Sequence, residues 1–172
     1  MDFARRFDKP GPGVEITIRV FEKNVMYQAS NPAFADEVRR SFAKQAIMGL
    51  IGGELVRVEP GVVEIKLSYR PDLTQQDGFV HAGIISTIAD SACGYAAYSL
   101  MPPESEVLAV EFKVNLLRPA KGEMFLARAE VIKPGRTLTV VRADVFAMTG
   151  VEERKLVATM QGTMMRLPKK SD

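Results

Sequence analysis

Q-Q-D-G-F-V-H-A-G-I-I-S-T-I-A-D-S-A-C-G-Y-A-A-Y-S-L, residues 75–100, is the stretch around which the chain is organised. From Gly78 to Pro103 it holds one carboxylate, Asp90, in a run of apolar and small residues. The protein's single histidine, His81, lies nine residues earlier, where a helix would begin. The stretch predicts a long apolar helix stopped by Pro102-Pro103. An unpaired carboxylate is costly to bury in such a helix, so Asp90 needs either a partner or a task.

Outward from this helix the pattern changes to that of strands. Upstream, E-L-V-R-V-E-P-G-V-V-E-I-K-L-S-Y-R (54–70) reads as two strands turning at Pro60-Gly61, with Val63, Ile65, Leu67 and Tyr69 on one face. Downstream come four more strand candidates. V-L-A-V-E-F-K-V-N-L-L (107–117) puts Leu108, Val110, Phe112, Val114 and Leu116 on one apolar face. M-F-L-A-R-A-E-V-I-K turns at Pro134-Gly135 into T-L-T-V-V-R-A-D-V-F-A-M, and K-L-V-A-T-M-Q-G-T-M-M-R-L follows a loop near Thr149-Gly150. Short connections make these strands antiparallel neighbours. Each has one apolar face, and the apolar helix is the cover available for it. The expected class is α+β, an antiparallel β-sheet wrapped around a long central α-helix.

Before residue 54 the pattern is less regular. Residues 1–13 are rich in Pro and Gly, and V-E-I-T-I-R-V-F (14–21) alternates like an edge strand. Asn31-Pro32 opens an amphipathic helix over about 33–50, with Phe34, Val38, Phe42, Ile47 and Leu50 near one side, ended by Gly49, Gly52 and Gly53. The expected division is an N-terminal extension, 1–40, without an assigned role, and one domain over 41–172.

Composition narrows the classes. A chain of 172 residues, 47% hydrophobic and 26% charged, is an ordinary globular composition. A net charge of +2 gives no electrostatic grip on nucleic acid. One cysteine, Cys93, excludes an intrachain disulfide and fits a reducing compartment, and there is no Cys/His cluster for a metal. Asp90 falls at the middle of the one apolar run long enough to span a bilayer, where a carboxylate costs roughly 2.5–3.5 kcal/mol. The expectation is a cytoplasmic protein with no membrane and no nucleic-acid partner.

On a 100° wheel, Ile84, Ile85, Ile88 and Tyr95 fall opposite Asp90, on the side expected against the sheet. Gly83, Ser86, Thr87, Gly94 and Ala97 cluster around it, a ridge of small residues that lets another backbone or a ligand come close. A neighbouring Ser or Thr could also satisfy the carboxylate. At the helix start, the amides of Ala82 and Gly83 lack intrahelical acceptors, and with the helix dipole they favour a developing negative charge. Oxyanion holes for acyl transfer are built this way. Gln75, upstream, could add a donor. Eight residues separate Ala82 from Asp90, about 12 Å along one helix, whereas one reacting carbonyl needs its donors and its base within about 3 Å. One chain cannot supply both, so an enzymatic site would lie between subunits.

Q-Q-D-G-F-V-H-A-G-I-I-S-T-I-A-D resembles the signature of PaaI-type hotdog-fold acyl-CoA thioesterases, N-x-x-G-x-x-H-G-G followed by L-x-D. V-E-F-K-V-N-L-L-R-P-A-K-G and K-P-G-R-T-L-T-V are similar to the family's following strand and hairpin, so the resemblance covers about 45–167. It implies a hotdog fold, no metal, no cofactor beyond coenzyme A within the substrate, and a homodimer with shared sites, often paired into tetramers. It implies Asp90 as general base or nucleophile, His81 as the residue orienting the helix start, and the Ala82 amide as the group polarising the thioester carbonyl. Gln75 stands where many members have Asn. Ala109 stands where some carry a Ser that holds the nucleophilic water, so that role is vacant. Gly83 and Thr87 line the expected substrate path. Arg136, then Lys113, Arg118 and Arg166, are the candidate contacts for the phosphates of coenzyme A.

The expected function is hydrolysis of medium- to long-chain fatty acyl-CoA to free acid and CoA; nine methionines suit an adaptable acyl pocket. The alternatives are an aryl-CoA (phenylacetyl-type) thioesterase, a hydratase or dehydratase of the same fold, and a non-catalytic acyl-CoA-binding hotdog protein.

Overall fold

The computed structural model describes residues 27–150 and 153–169; the alternating segment 14–21 lies outside them. The described chain runs α1 (Phe34–Ala43), α2 (Ala46–Ile51), β1 (Gly53–Glu59), β2 (Val62–Ser68), a 3₁₀ turn (Pro71–Leu73), α3 (Ala82–Tyr98), β3 (Ser105–Leu116), β4 (Met124–Lys133), β5 (Leu138–Thr149) and β6 (Glu153–Pro168). The six strands form one antiparallel sheet wrapped over α3, the architecture expected from the sequence.

Residue size explains how the helix seats. Ala129 of β4 faces Ala143 of β5, and Ala127 faces Val145, so the centre of the sheet is a trough of small side chains. Into it goes α3, with Ile85, Ile88, Ala89, Ala92 and Ala96 fully enclosed. Val63, Ile65 and Leu67 close one flank, Val141 and Met160 the other. Each large aliphatic side chain so enclosed is worth about 1.5–3 kcal/mol. The far end of α3 is tied down by Ser99, whose hydroxyl donates to the Ala96 carbonyl (2.7 Å) and accepts from the Gly61 amide (2.8 Å). Gly61 is required there: its φ is +77°, and a Cβ would lie 2.7 Å from the Tyr27 ring.

Four local expectations are corrected. The helix expected over 33–50 is two helices broken at Lys44–Gln45, and Gly52 in the left-handed region caps the second. The break turns α2, so Met48 and Ile51 are buried while Ile47 and Leu50 (70% exposed) face outward. Tyr69 lies beyond the end of β2 and is exposed. Pro102-Pro103 do not stop α3, which ends at Tyr98 with Ser99 as its cap.

The last correction concerns β3. Its antiparallel neighbour is β6 and not the next strand, β4, so the sheet order is β1-β2-β4-β5-β6-β3 and β3 is an edge. A register shift between Ala109 and Glu111 breaks the alternation along it. Leu108, Val110 and Phe112 are 51%, 52% and 46% exposed, so the face expected against α3 is open on a single chain. Among the described residues, no helix is long and apolar enough to cross a membrane.

Candidate active site

The start of α3 is held by His81. Its Nδ1 accepts from the Gly83 amide at 2.9 Å, and its carbonyl accepts from Ile84 (2.9 Å) and Ile85 (3.2 Å). The ring therefore caps the helix with its proton on Nε2. Of the two amides expected to be open, the Gly83 amide is taken by this cap, a correction to the sequence reading. The Ala82 amide has no partner among the described residues. Just upstream, Gln75 is folded onto its own turn: its Oε1 accepts from the Asp77 amide, and its Nε2 donates to Asp77 Oδ2 at 3.3 Å.

Two turns along α3, Asp90 sits beside a cavity of about 320 Å³. Its Oδ1 is buried with no hydrogen-bond partner. Ser86 and Thr87, the hydroxyls nearest in the chain, both bond back to the helix, at the carbonyls of Ala82 (2.8 Å) and Gly83 (2.8 Å). The expectation that a neighbouring hydroxyl satisfies the acid is thus not met. Desolvation raises the Asp90 pKa above the ordinary carboxylate value. A carboxylate so placed is a stronger base than one in water, and because Asp90 is only half-buried and lines the cavity, its carboxyl group can take a proton from, or attack, a molecule held there.

The ridge around Asp90 is only partly open. Gly94 lines the cavity, and a Cβ there would meet nothing within 4 Å, whereas Ala97 is fully buried. Tyr95, expected against the sheet, meets α1: its ring packs edge-on to Phe42 with centroids 5.7 Å apart, and its hydroxyl lies 3.4 Å from Ser41 Oγ. Cys93 is buried beside these residues, its thiol pushed well above its ordinary pKa by desolvation and by Asp90.

Sequence reasoning missed the far wall of the cavity, made by Ser41, Lys44 and Gln45. In a continuous amphipathic helix these polar side chains read as its solvated side. Ser41 closes this wall from α1, while Gln45 lies past the break at Lys44, as the N-cap of α2, where Ser91 Oγ donates to its Oε1 at 3.2 Å. Val107 and Ala109 of β3 and Met164 of β6 complete the lining. The candidate cations divide. Arg118 donates to the Leu156 carbonyl (2.8 Å) and Arg166 to Ser105 Oγ (3.0 Å), while Lys113 and Arg136 are exposed.

Ala82 and Asp90 both lie on α3, so their separation of about 12 Å follows from the helical rise. Within one chain the open amide and the unpartnered carboxylate cannot reach one carbonyl group.

Comparison with known proteins shows the family of the chain. The sequence profile of the thioesterase superfamily matches residues 77–153, from the loop before α3 to the start of β6. A crystal structure of a thioesterase family protein from Silicibacter pomeroyi is 54% identical, has a TM-score of 0.77, and covers 78% of this chain and 98% of that one. A Saccharolobus solfataricus protein provisionally assigned as an esterase is 32% identical over 114 residues, 66% of this chain and 74% of its own. The 1,4-dihydroxy-2-naphthoyl-CoA hydrolase of Listeria monocytogenes is 30% identical over 96 residues, 54% of this chain and 78% of its own.

Proposed function

This chain belongs to the thioesterase superfamily, whose hotdog fold it shares, and we propose that it hydrolyses an acyl-CoA thioester to the free acid and coenzyme A with Asp90 as its catalytic carboxylate. The observation that carries the reading is the buried, unpartnered Asp90 oxygen at the edge of a cavity. In the base route Asp90 takes a proton from water as the water oxygen bonds to the carbonyl carbon. The oxyanion forms against the Ala82 amide, and its collapse breaks the C–S bond, the thiolate of CoA recovering the proton. In the nucleophile route the Asp90 carboxylate attacks the carbonyl carbon first and the C–S bond breaks, releasing the CoA thiolate and leaving a mixed anhydride; water then hydrolyses the anhydride to the free acid and Asp90, and the thiolate takes up a proton of that water. Both routes need the ionised carboxylate, and neither calls on a cofactor beyond the CoA of the substrate.

The 12 Å spacing supports a homodimer in which Asp90 of one chain meets Ala82 of the other. The surface that suits this pairing is β3, an edge strand with a half-exposed apolar face, which is an aggregation hazard unless covered. Antiparallel pairing of two β3 edges would join the two sheets and cover Leu108, Val110 and Phe112. Phe112→Asp together with Val110→Lys is expected to give a monomer by light scattering, with kcat/KM down by ~10²-fold or more because donor and base are separated. A monomer of full activity would contradict the shared site.

For the acyl group we favour medium to long fatty chains, on the apolar Val107, Ala109 and Met164 wall. An aryl-CoA is the second reading, favoured by the hydroxyls of Ser41 and Tyr95 in the same cavity. A panel of saturated acyl-CoA and aryl-CoA substrates, followed with a thiol reagent, is expected to give highest kcat/KM on a medium or long acyl chain. Highest activity on an aryl thioester would select the second reading, and no turnover of any thioester would sink both. Lys113 and Arg136 are the exposed cations proposed to meet the phosphates of CoA, with His81 orienting the helix start and Gly83 and Thr87 beside the thioester. Gln75 is proposed to approach it only after its turn rearranges.

A further inference from the structure

The cavity beside Asp90 contains a side-chain amide that the proposed chemistry leaves idle. Ser41 and Tyr95 face each other, and Ser91 gives its proton to Gln45. Gly94, Val107, Ala109 and Met164 bring no hydrogen-bond donor from their side chains. Lys44 is exposed. Gln45 remains. Its Oε1 is committed to Ser91, and its Nε2 carries two hydrogens with no partner among the described residues. Ser91 is buried and follows Asp90 on α3, so this bond holds the amide at the cavity that Asp90 also lines.

We infer that Gln45, held by Ser91, is a positioning residue for hydrolysis, its Nε2 donating to the attacking water while that water donates to Asp90. The water oxygen then accepts one hydrogen bond, gives one proton toward the base, and keeps a lone pair directed at the thioester carbon. At Ala109 the wall offers a methyl group and nothing to hold a water, so the donor comes from the opposite wall. That wall exists because the N-terminal helix breaks at Lys44–Gln45, which gives residues 34–51 a part in the chemistry beyond packing. The inference rests on the thioesterase reading.

The test is steady-state kinetics of the full chain on an acyl-CoA that the wild type turns over, with Asp90→Ala in the same assay. Gln45→Ala is expected to lower kcat by ~10²-fold, as for loss of one transition-state donor, with KM within about threefold. Ser91→Ala should lower kcat less, and the double variant should be no worse than Gln45→Ala alone, because both act through one amide. Gln45→Glu guards against a folding defect: it keeps the size and adds a second carboxylate beside Asp90. It should shift the acidic limb of the kcat–pH profile to higher pH. The other titratable groups facing Asp90, Lys44 across the cavity and Tyr95 and Cys93 on α3, are unchanged in that comparison; β3 and β6 bring none to the cavity wall. Wild-type kcat in Gln45→Ala, or an unmoved limb in Gln45→Glu, overturns the inference. If Asp90→Ala is inactive in that same experiment, the thioesterase reading stands without it; if Asp90→Ala is fully active, both fall.

Discussion

Asp90→Asn is expected to lower kcat for thioester hydrolysis by ~10²–10⁴-fold and to melt at a higher temperature than the wild type. The loss follows from chemistry: the amide neither takes a proton nor attacks a carbonyl, while its size leaves the cavity and the packing of α3 unchanged. The gain follows from the environment. Burial raises the Asp90 pKa, so the folded chain binds that proton more tightly than the unfolded chain does. The stability linked to this group is therefore fully present below the ordinary carboxylate pKa and is lost as pH rises through the folded value. At neutral pH the ionised, unpartnered oxygen is a net burden, which the substitution removes. Activity has the opposite sign. The working form is ionised, so wild-type kcat should fall with decreasing pH along a limb lying above the usual carboxylate range. Thermal melts and kcat–pH profiles of the two proteins measure both halves. An active Asp90→Asn would contradict the assignment, and a lower melting temperature would show that the carboxylate is satisfied in the assembled protein.

Ala82→Pro is expected to lower kcat by ~10²–10³-fold, the scale for losing one oxyanion donor, with the fold intact. Ala82 is the first residue of α3, where proline fits because the N–H it removes has no intrahelical acceptor. The residue before a proline must be extended, and His81 already is, with φ −59° and ψ 138°. The cap from Gly83 to the His81 ring does not involve the Ala82 nitrogen. The substitution thus replaces the amide hydrogen with a ring methylene at the oxyanion position and leaves the helix and its cap in place. Circular dichroism and melting should match the wild type while turnover is lost. Unchanged kcat would remove the Ala82 amide from the mechanism.

Much of this was legible in the sequence because the signals are local. The start of α3 is marked at His81-Ala82-Gly83, where small residues open the apolar run. The β4–β5 hairpin is marked by Pro134-Gly135 and by alternation on both sides of it. Asp90 was visible as the one acid in an apolar helix. What was not legible depends on contacts remote in sequence. The break at Lys44–Gln45 carries no proline, and it places Gln45 opposite Ser91, forty-six residues away. The exposure of Leu108, Val110 and Phe112 follows from β3 taking the sheet edge beside β6, which alternation within β3 does not encode. The Gly83 amide was expected to be open because the cap that takes it comes from a side chain, His81, whose rotamer the sequence does not give.

The central claim, that Asp90 of one chain works with the Ala82 amide of another, is tested most directly by mixing two inactive proteins. The Ala82→Pro and Asp90→Ala proteins are unfolded together and refolded, or co-expressed with distinct tags, and thioester hydrolysis is measured. A mixed dimer of isologous subunits has one site with both wild-type groups and one with neither, so random pairing should restore about a quarter of wild-type activity. Tagged heterodimers, purified, should show about half. If the catalytic groups belonged to the same chain, neither subunit would hold a complete pair. The mixture would then stay as inactive as its parents, and that result would contradict the shared site.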